Sequence, residues 1–281
     1  RGGVGGDILL ESSEFNHNGY GDGQSHNMYI NACASFTLRY CYSHDTVEGH
    51  EVKTRALKNY ILYNLLSSEN GTGSRELQLA QGGTCYVIGN VIQQGPNSHN
   101  SAIVVYGGEG INANPYLYVV NNTLINLRLN GGTFLEVNNQ LNEGVFKNNI
   151  VQRIAGNETI VGGSYGSQVA QTSNWITYNA GLVNIYAHDY HLTSASTGAI
   201  NRLRWPLGHG VRVESGIVEG DVVTAGFDPM LAKLIVTAPD REQAIARSRR
   251  ALAEMQVEGV ATPAALYSEV ISMPGSSPAA R

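Results

Sequence analysis

The chain has 281 residues, of which 15% are charged, and its formal net charge is -5. This length can hold one long domain or two ordinary ones, and 33 glycines favour turns and a regular scaffold over disorder. A mildly acidic surface without a basic stripe argues against nucleic acid as a partner. No apolar run in the sequence is long enough to span a bilayer.

The cysteines argue against a metal site. Cys33, Cys41 and Cys85 form neither a CxxC pair nor a Cys/His ligand spacing. We therefore expect three buried free thiols and no bound metal ion. Because the chain opens on Arg1 rather than Met, we expect N-terminal sequence to be missing. The lack of a visible signal peptide therefore says little about export.

Short apolar runs recur along the first part of the chain, and each is followed by a break rich in Gly, Ser or Asn. The residues that close the runs are spaced by 27, 24, 26, 32 and 27 positions. They are Ser13, Tyr40, Asn64, Asn90, Asn122 and Asn149. Such a period is typical of a solenoid, whose units bury their apolar faces by stacking on their neighbours. We therefore predict a mainly β chain that opens with a parallel β-helix over residues 1–197.

The recurrent asparagines predict an internal ladder. Asn tolerates left-handed backbone, and its amide can hydrogen-bond to the coil above when equivalent turns stack. The expected members are Asn64, Asn90, Asn122 and Asn149. Their role would be structural rather than ligand binding. Residues 189–196 resemble the closing coil of many bacterial β-helix proteins, which would end the solenoid near Thr197.

A second strand in each coil predicts a surface that runs across the coils. Alternation directs apolar residues toward the core, namely Met28, Ile30, Val52, Leu77, Leu79, Ile103, Val105, Leu135 and Val137. Val104 then faces outward together with Lys53 and Arg55. The outward residues that we expect to bind substrate are Tyr29, Asn31, Glu51, Glu76, Gln78, Tyr106, Glu136 and Asn138. Such a strip suits an extended sugar polymer, since rings stack on tyrosine and hydroxyls bond to Asn, Gln and Glu.

The densest part of this strip is the run His-Glu-Val-Lys-Thr-Arg that begins at His50. The segment resembles the bacterial right-handed parallel β-helix family, whose pectate-lyase-like members often degrade acidic polysaccharides by β-elimination. The resemblance implies that Lys53 and Arg55, which point to the same side, remove the proton beside a uronate and neutralise its carboxylate, with His50 as a proton relay. Alternatively, both cations are solvated charges paired with Glu51 and Glu76. No acidic calcium cluster accompanies them, so no cofactor is expected for the β-helix.

The chain changes character at the join between Thr197 and Gly198. Beyond it come Gly-Val-Arg-Val-Glu-Ser-Gly from Gly210, Phe-Asp-Pro-Met-Leu from Phe227 and Val-Glu-Gly-Val-Ala-Thr from Val257. In order and spacing these motifs resemble the biotin carboxylase C-terminal domain of acyl-CoA carboxylases. The resemblance covers residues 198–271 and implies a small α+β domain.

That resemblance assigns a role to Arg212. It matches an arginine beside bicarbonate and biotin, where a fixed cation stabilises the biotin enolate during carboxyl transfer. Biotin, ATP and Mg²⁺ would act only with carboxylase domains that the sequence lacks, so we expect no carboxylase activity from this chain alone. Phe227 and Pro263 depart from the family pattern, which often has Tyr and Asn there.

Local signals agree with the expected shape of this domain. Residues 211–218 and 230–237 read as strands. Asp240 can cap a helix with Gln243 three residues on. The stretch 272–281 reads as a flexible tail, because it is rich in Pro, Gly and Ser.

The sequence leaves three functional interpretations. The main one is a β-helix that binds, or also cleaves, an acidic polysaccharide or oligosaccharide and carries an inactive carboxylase fragment. The alternatives are a fragment of a biotin-dependent acyl-CoA carboxylase and a non-catalytic structural solenoid. The β-helix would be secreted or at the cell surface, whereas the relatives of the second segment are cytoplasmic. This conflict favours a fusion of two unrelated pieces, and the sequence identifies neither the polysaccharide nor the oligomeric state.

Overall fold

The computed structural model describes residues 5–192, 198–200, 202–223, 231–258, 262, 267 and 271. The chain divides into two compact units, Arg1–Ala180 and Gly181–Arg281. Thr197, at the predicted join, and the predicted tail over 272–281 lie outside the described residues. Within the described parts of the chain, no helix combines the length and the apolar character needed to cross a membrane.

The described part of the first unit consists of six coils with three strands each and a seventh with two. The strands are β1 (Asp7–Glu11), β2 (Glu14–Asn16), β3 (Tyr29–Ile30), β4 (Ser35–Arg39), β5 (Tyr42–His44), β6 (His50–Thr54), β7 (Lys58–Leu62), β8 (Leu65–Ser67), β9 (Arg75–Leu79), β10 (Thr84–Ile88), β11 (Val91–Gln94), β12 (Ala102–Tyr106), β13 (Tyr116–Val120), β14 (Thr123–Asn126), β15 (Thr133–Val137), β16 (Glu143–Lys147), β17 (Ile150–Gln152), β18 (Thr159–Gly162), β19 (Val169–Thr172) and β20 (Trp175–Thr177). A 3₁₀ turn, Gly166–Gln168, lies between β18 and β19.

Equivalent strands of successive coils pair in parallel and form three sheets. The first sheet runs from β1 to β19, the second from β2 to β20, and the third from β3 to β18. This arrangement confirms the predicted parallel β-solenoid. Each complete coil has three strands rather than the predicted two. The strands of the second sheet were not predicted. Most of them have only three residues, which is too few to show an alternation of apolar and polar side chains.

Columns of apolar side chains fill the space between the sheets. The first sheet contributes Leu38, Ile61, Val87, Val119 and Phe146, the second Leu66, Ile92, Leu124 and Val151, and the third Val52, Leu77, Val104 and Leu135, all fully buried. Cys33, Cys41 and Cys85 are buried and free, as predicted. Burial raises the pKa of the Cys85 thiol to about 12, so this group stays protonated and inert near neutral pH.

The asparagine ladder is confirmed. Nδ2 of Asn64 donates to Oδ1 of Asn90 at 3.0 Å, and Nδ2 of Asn90 donates to Oδ1 of Asn122 at 2.9 Å. Asn122 continues to Asn149, and Asn149 to Asn174, each at 3.0 Å. Every donor amide in this row also bonds to a main-chain carbonyl of the first sheet. The ladder therefore satisfies buried polar groups at the turn between the first and second sheets.

The left-handed backbone falls one residue before each ladder position, not at the asparagines as predicted. The φ angles there are 56° at Tyr40, 56° at Tyr63, 70° at Gly89, 56° at Asn121 and 54° at Asn148. Tyr40 therefore belongs to the turn, and its predicted alignment with Asn64 is wrong by one residue. Cys41 takes the ladder position and donates its main-chain N–H to Oδ1 of Asn64 at 3.0 Å.

The second unit contains short antiparallel pairs and one helix. Its elements are β21 (Leu182–Asn184), a 3₁₀ turn (Ile185–Ala187), β22 (Asp189–Leu192), β23 (Gly198–Ala199), β24 (Arg202–Arg204), β25 (Val211–Ser215), β26 (Val222–Val223), β27 (Ala232–Val236), α1 (Arg241–Glu254) and β28 (Gln256–Glu258). The pairs are β21 with β22, β23 with β26, β24 with β28, and β25 with β27. Residues 189–192, the described part of the predicted closing coil over 189–196, pair antiparallel with β21 and do not join the three parallel sheets of the solenoid.

The two predicted strands and the helix of this unit are confirmed, and the strands pair with each other. β25 and β27 lie within the predicted ranges 211–218 and 230–237 and pair from Val211 with Val236 onward. Oδ1 of Asp240 accepts a hydrogen bond from the main-chain N–H of Gln243 at 2.8 Å. The Gln243 side chain returns a bond to Oδ2 of Asp240 at 2.6 Å, which completes the predicted cap of α1.

We predict that Asn122→Ala lowers the free energy of unfolding by about 2–4 kcal/mol. The substitution removes the donor to the carbonyl of Val87 and leaves buried groups of Asn90 and Asn149 without this partner, at a cost of roughly 1–3 kcal/mol each. Urea unfolding followed by circular dichroism measures the change. Asn142→Ala, at an exposed position, should change it by about 0.5 kcal/mol or less. Equal losses in both variants would contradict a stabilising ladder.

Candidate functional site

The third sheet carries the residues predicted to form an outward polar strip. Its register places Tyr29, Lys53, Gln78, Val105 and Glu136 in one column across five coils. The strip therefore exists as a column, but with one strand out of phase with the prediction.

Tyr106 was predicted to face outward on this strip, but it faces the core. Val104 pairs with Leu77 and Tyr106 with Leu79, so both face the core, and both are fully buried. The Tyr106 hydroxyl donates to the main-chain carbonyl of Gly83 at 2.8 Å. The sequence pattern could not show which residues of β12 face the core, because all five are apolar or aromatic. In the structure all five are buried. Tyr106 cannot serve as a substrate-binding residue in this position.

Glu51 and Glu76 were also predicted to face outward, and both are fully buried. Oε1 of Glu51 accepts the main-chain N–H of Thr46 at 3.0 Å, and its Oε2 accepts from Asn27 and Ser43. Oε1 of Glu76 accepts from the Ser68 hydroxyl. These carboxyl groups make internal polar contacts, of which the bond from Asn27 to Glu51 joins two coils, and they are not available to bind a polymer.

Burial changes the protonation of both carboxyl groups. It raises the pKa of Glu51 to about 8, although hydrogen bonds from Thr46, Asn27 and Ser43 act in the opposite direction. Burial also raises the pKa of Glu76 well above its usual range. A carboxyl group protonated at neutral pH can occupy this interior without an unpaired charge.

Lys53 and Arg55 converge on a carboxylate that the sequence analysis did not identify. Lys53 Nζ lies 2.7 Å from Oε1 of Glu109, and Arg55 Nη2 lies 2.6 Å from Oε2 of the same residue. The two cations therefore share a side, as predicted, but their partner is Glu109 rather than Glu51 or Glu76. Glu109 follows β12 and is more than 50 positions away in sequence, so no local pattern connects it with Lys53.

Both cations of this cluster are paired with the one carboxylate, and the cluster is partly covered. Burial would raise the pKa of Glu109, but hydrogen bonds from Arg55 and Lys53 outweigh it and lower the pKa to about 2. Gln78 is 3% exposed and donates to Oε1 of Glu109 at 3.3 Å. The ring of Tyr29 lies 5.7 Å from Lys53 Nζ and 5.4 Å from the Arg55 guanidinium carbon. Each predicted cation thus has internal partners.

The remaining residues of the predicted strip differ in exposure. Asn31 is exposed, whereas Glu136 and Asn138 are partly buried and bond to each other at 2.6 Å. His50 is buried and stacks on His26 with ring centroids 4.6 Å apart. Burial, together with the charge of neighbouring groups, lowers the pKa of His50 to about 3. A neutral, covered imidazole is poorly placed to relay protons to a bound substrate.

A second group of titratable side chains lies at the end of β5, where the sequence analysis expected no metal ligands. His44, Asp45 and Glu69 come from two consecutive coils, and their ligand atoms lie within 4.8 Å of one another. Burial would lower the pKa of His44, but hydrogen bonds with Asp45 and Glu14 and the nearby charges raise it. Only the stacking of coils brings Glu69 to His44, so motif spacing could not reveal the group.

In the second unit, Arg212 lies on β25 opposite Ile235 of β27. Its guanidinium Nη2 is 3.2 Å from Oε1 of Glu214, and the side chain is 68% exposed. The strand pair fixes the position of this cation at the surface of the unit. Phe227 and Pro263, which depart from the family pattern, lie outside the described residues.

Comparison with known families identifies the second unit. Residues 183–278 match the model of the biotin carboxylase C-terminal domain. The match begins upstream of the predicted boundary at residue 198. The comparison therefore supports a biotin carboxylase C-terminal domain within the second unit.

Individual relatives agree with the family match. The chain is 47% identical over 79 residues to the biotin-dependent acyl-coenzyme A carboxylase alpha3 subunit of Mycobacterium leprae, covering 28% of this chain and 13% of that protein. It is 45% identical over 92 residues to the biotin carboxylase of Halalkalibacterium halodurans, covering 33% and 20%. It is 39% identical over 67 residues to the mitochondrial methylcrotonoyl-CoA carboxylase subunit alpha of Glycine max, covering 24% of this chain and 9% of that protein. The matches span a fifth or less of these relatives.

A solved structure of Rhizobium etli pyruvate carboxylase with acetyl coenzyme-A is 32% identical and covers 31% of this chain and 8% of that chain. The TM-score of 0.28 is too low to carry a structural argument.

These comparisons overturn the main functional prediction. Interpreting the chain as a protein that binds or cleaves an acidic polysaccharide is wrong, because the family match and the relatives are those of biotin carboxylases. The structure agrees in part, since Glu51, Glu76, Gln78 and Tyr106 are buried rather than displayed. The alternative interpretation, a fragment of a biotin-dependent carboxylase, is better supported.

We predict that the buried Glu51 makes the solenoid less stable as pH rises. Its pKa is about 8 in the folded chain and near 4.5 when unfolded, so folding favours the protonated form. The stabilising effect is complete below about pH 4.5 and is lost as pH rises through about 8, by on the order of a few kcal/mol. Urea unfolding at pH 5, 6, 7 and 8 measures this slope.

Glu51→Gln should remove this contribution, because a neutral amide does not titrate, and the difference in slope between the variant and the unsubstituted chain measures it. The slope that remains comes from other groups with shifted pKa values, such as Glu76 and His50. Glu136→Gln, which replaces a carboxylate on the outward column, serves as the matched control and should keep the slope of the unsubstituted chain. A slope that is the same with and without Glu51 would show that another group causes it.

Proposed function

We propose that the second unit works as the C-terminal domain of the carboxylase subunit of a biotin-dependent acyl-CoA carboxylase. The family match over residues 183–278 is the observation that carries this proposal. The Mycobacterium leprae relative, 47% identical, is named as a subunit of such an enzyme and supports the acyl-CoA class.

Arg212 is the residue through which this unit would contribute to the reaction. Its exposed guanidinium fits the chemistry of the group implied by the relatives, because it can donate hydrogen bonds to the ureido oxygen of biotin or to bicarbonate. Biotin, when bound, supplies the ureido nitrogen that carries the carboxyl group. A cation held on a paired strand can stabilise negative charge that develops beside it without reorganising.

ATP and Mg²⁺ would be handled outside the matched region. Most of each relative's length lies outside that region, because the matches cover 20% or less of the relatives. We expect no carboxylation of biotin by this chain alone, and we expect activity once the remaining carboxylase domains are supplied.

For the first unit we favour a structural role. The buried asparagine ladder bonds one coil to the next, and the buried Glu51 and Glu76 bond to Thr46 and Ser68 within their own coils. Whether this solenoid is right-handed and pectate-lyase-like, and whether it is secreted, stays a prediction.

A domain exchange tests the carboxylase proposal. Residues 183–278 replace the corresponding segment of the Halalkalibacterium halodurans biotin carboxylase, and bicarbonate-dependent ATP hydrolysis is measured with free biotin. We expect the exchanged enzyme to be active. Arg212→Ala in the same background should lower kcat/KM by about 100-fold or more, since one donor to a developing charge contributes that much in other enzymes.

Arg204→Ala is the matched control, because Arg204 is an exposed arginine on β24. It should leave activity within about twofold of the exchanged enzyme. Circular dichroism and gel filtration establish that each variant is folded. A folded exchange without biotin-dependent turnover, or an Arg212→Ala variant as active as its parent, would contradict the proposal.

A further inference from the structure

The group at the end of β5, which we call the His44 cluster, consists of His44, Asp45 and Glu69. His44 closes β5, Asp45 follows it in the turn, and Glu69 lies just beyond β8 in the next coil. Their side chains are 12%, 15% and 15% exposed, so the cluster is sheltered but still reachable from solvent.

The three ligand atoms converge. Nδ1 of His44 lies 3.0 Å from Oδ2 of Asp45 and 3.6 Å from Oε1 of Glu69. The third separation is at most 4.8 Å. An ion about 2.0–2.2 Å from nitrogen and oxygen donors holds adjacent donors roughly 3–3.5 Å apart. The two separations from His44 Nδ1 are therefore close to those between adjacent donors around one cation.

Neighbouring groups orient the ligands from outside the cluster. Oε1 of Glu14 lies 3.2 Å from Nε2 of His44, which leaves Nδ1 directed at Asp45 and Glu69. A carboxylate on the far nitrogen of a metal-binding histidine is a common arrangement, since it fixes the ring and raises the basicity of the ligand. The main-chain N–H of Gly71 donates to Oδ1 of Asp45 at 3.1 Å, so Oδ2 is the oxygen turned toward the ring.

The Tyr42 side chain supports the cluster from β5. Its ring stacks on the His44 imidazole with centroids 4.0 Å apart, and its hydroxyl donates to Oε1 of Glu69. Ligand positions held by stacking and hydrogen bonds lose little side-chain freedom when an ion binds.

We propose that the His44 cluster binds one divalent transition-metal ion, with His44 Nδ1, Asp45 Oδ2 and Glu69 Oε1 as protein ligands and water in the remaining positions. One imidazole nitrogen with two carboxylates suits Zn²⁺, Mn²⁺ or Fe²⁺ better than Ca²⁺ or Mg²⁺, which prefer all-oxygen sites. The two ligand carboxylates carry two negative charges, which a divalent ion balances. Glu14 is a positioning residue in this site.

Metal titration of the full chain tests the site. The protein is stripped with EDTA, dialysed and titrated with ZnCl₂ by isothermal calorimetry. The visible spectrum of Co²⁺ provides a second measurement. We expect one ion per chain, a rise in melting temperature on Zn²⁺ addition, and a Co²⁺ spectrum that reports nitrogen and oxygen ligands.

Single substitutions locate the ion. His44→Ala should weaken Zn²⁺ binding by about 100-fold or more, and Glu14→Gln by about 10-fold, the range seen for outer partners of ligands. Glu69→Gln keeps the shape of the side chain and should also lose the Co²⁺ spectrum. His99→Ala removes an exposed histidine elsewhere on the solenoid and is the matched control, which should bind as the unsubstituted chain does.

Melting curves of the metal-free variants separate loss of the site from loss of the fold. A folded His44→Ala or Glu69→Gln variant that binds Zn²⁺ as tightly as the unsubstituted chain would overturn the proposal. So would the absence of saturable binding by the unsubstituted chain, because His44 would then serve only as an ion-pair partner of the surrounding carboxylates.

Discussion

The first unit depends on satisfying polar groups that its own turns bury. Each coil passes from the first sheet to the second through a buried corner, where a main-chain N–H and several carbonyls have no access to water. The ladder asparagine accepts from the preceding ladder residue and donates both to the next one and to a carbonyl of the first sheet, as Asn64 does with Cys41, Asn90 and Leu38. One side chain thus connects three coils. The ladder thereby fixes their register and every side-chain column that follows from it.

The corner between the second and third sheets meets the same requirement with less uniform chemistry. Glu51 accepts the main-chain N–H of Thr46, much as a ladder asparagine would, while Glu76 bonds to Ser68. An ionised carboxyl group at this buried corner would leave an unpaired charge, which costs free energy, whereas a protonated one would not. Burial accordingly raises the pKa of both Glu51 and Glu76. The consequence is that stability depends on pH at this corner and not at the ladder.

The sequence predicted features that depend on local pattern. The coil period, the ladder asparagines, the strands β25 and β27 and the Asp240 cap each follow from neighbouring residues or from one repeat. The phase of β12 could not be predicted, because a strand of five buried residues carries no alternation.

Contacts between side chains of different coils could not be predicted from the sequence, for a different reason. Glu109 reaches Lys53 from more than 50 positions away, and Glu69 reaches His44 from the next coil. Such pairs are set by the lengths of the irregular turns, which differ from coil to coil. The C-terminal resemblance could be found because it rests on contiguous motifs. The family match begins at residue 183, before those motifs.

The cations of the two units show why charge alone misled the functional prediction. Lys53 and Arg55 are held by Glu109, whose pKa of about 2 shows how strongly the pairs favour its ionised form. A substrate carboxylate would have to displace that partner before either cation could stabilise it. Among the described residues, Arg212 pairs with Glu214, and both side chains are more than half exposed, so water screens their attraction. Of these three residues, only Arg212 can pair with a charge on another molecule without first displacing a strongly held carboxylate.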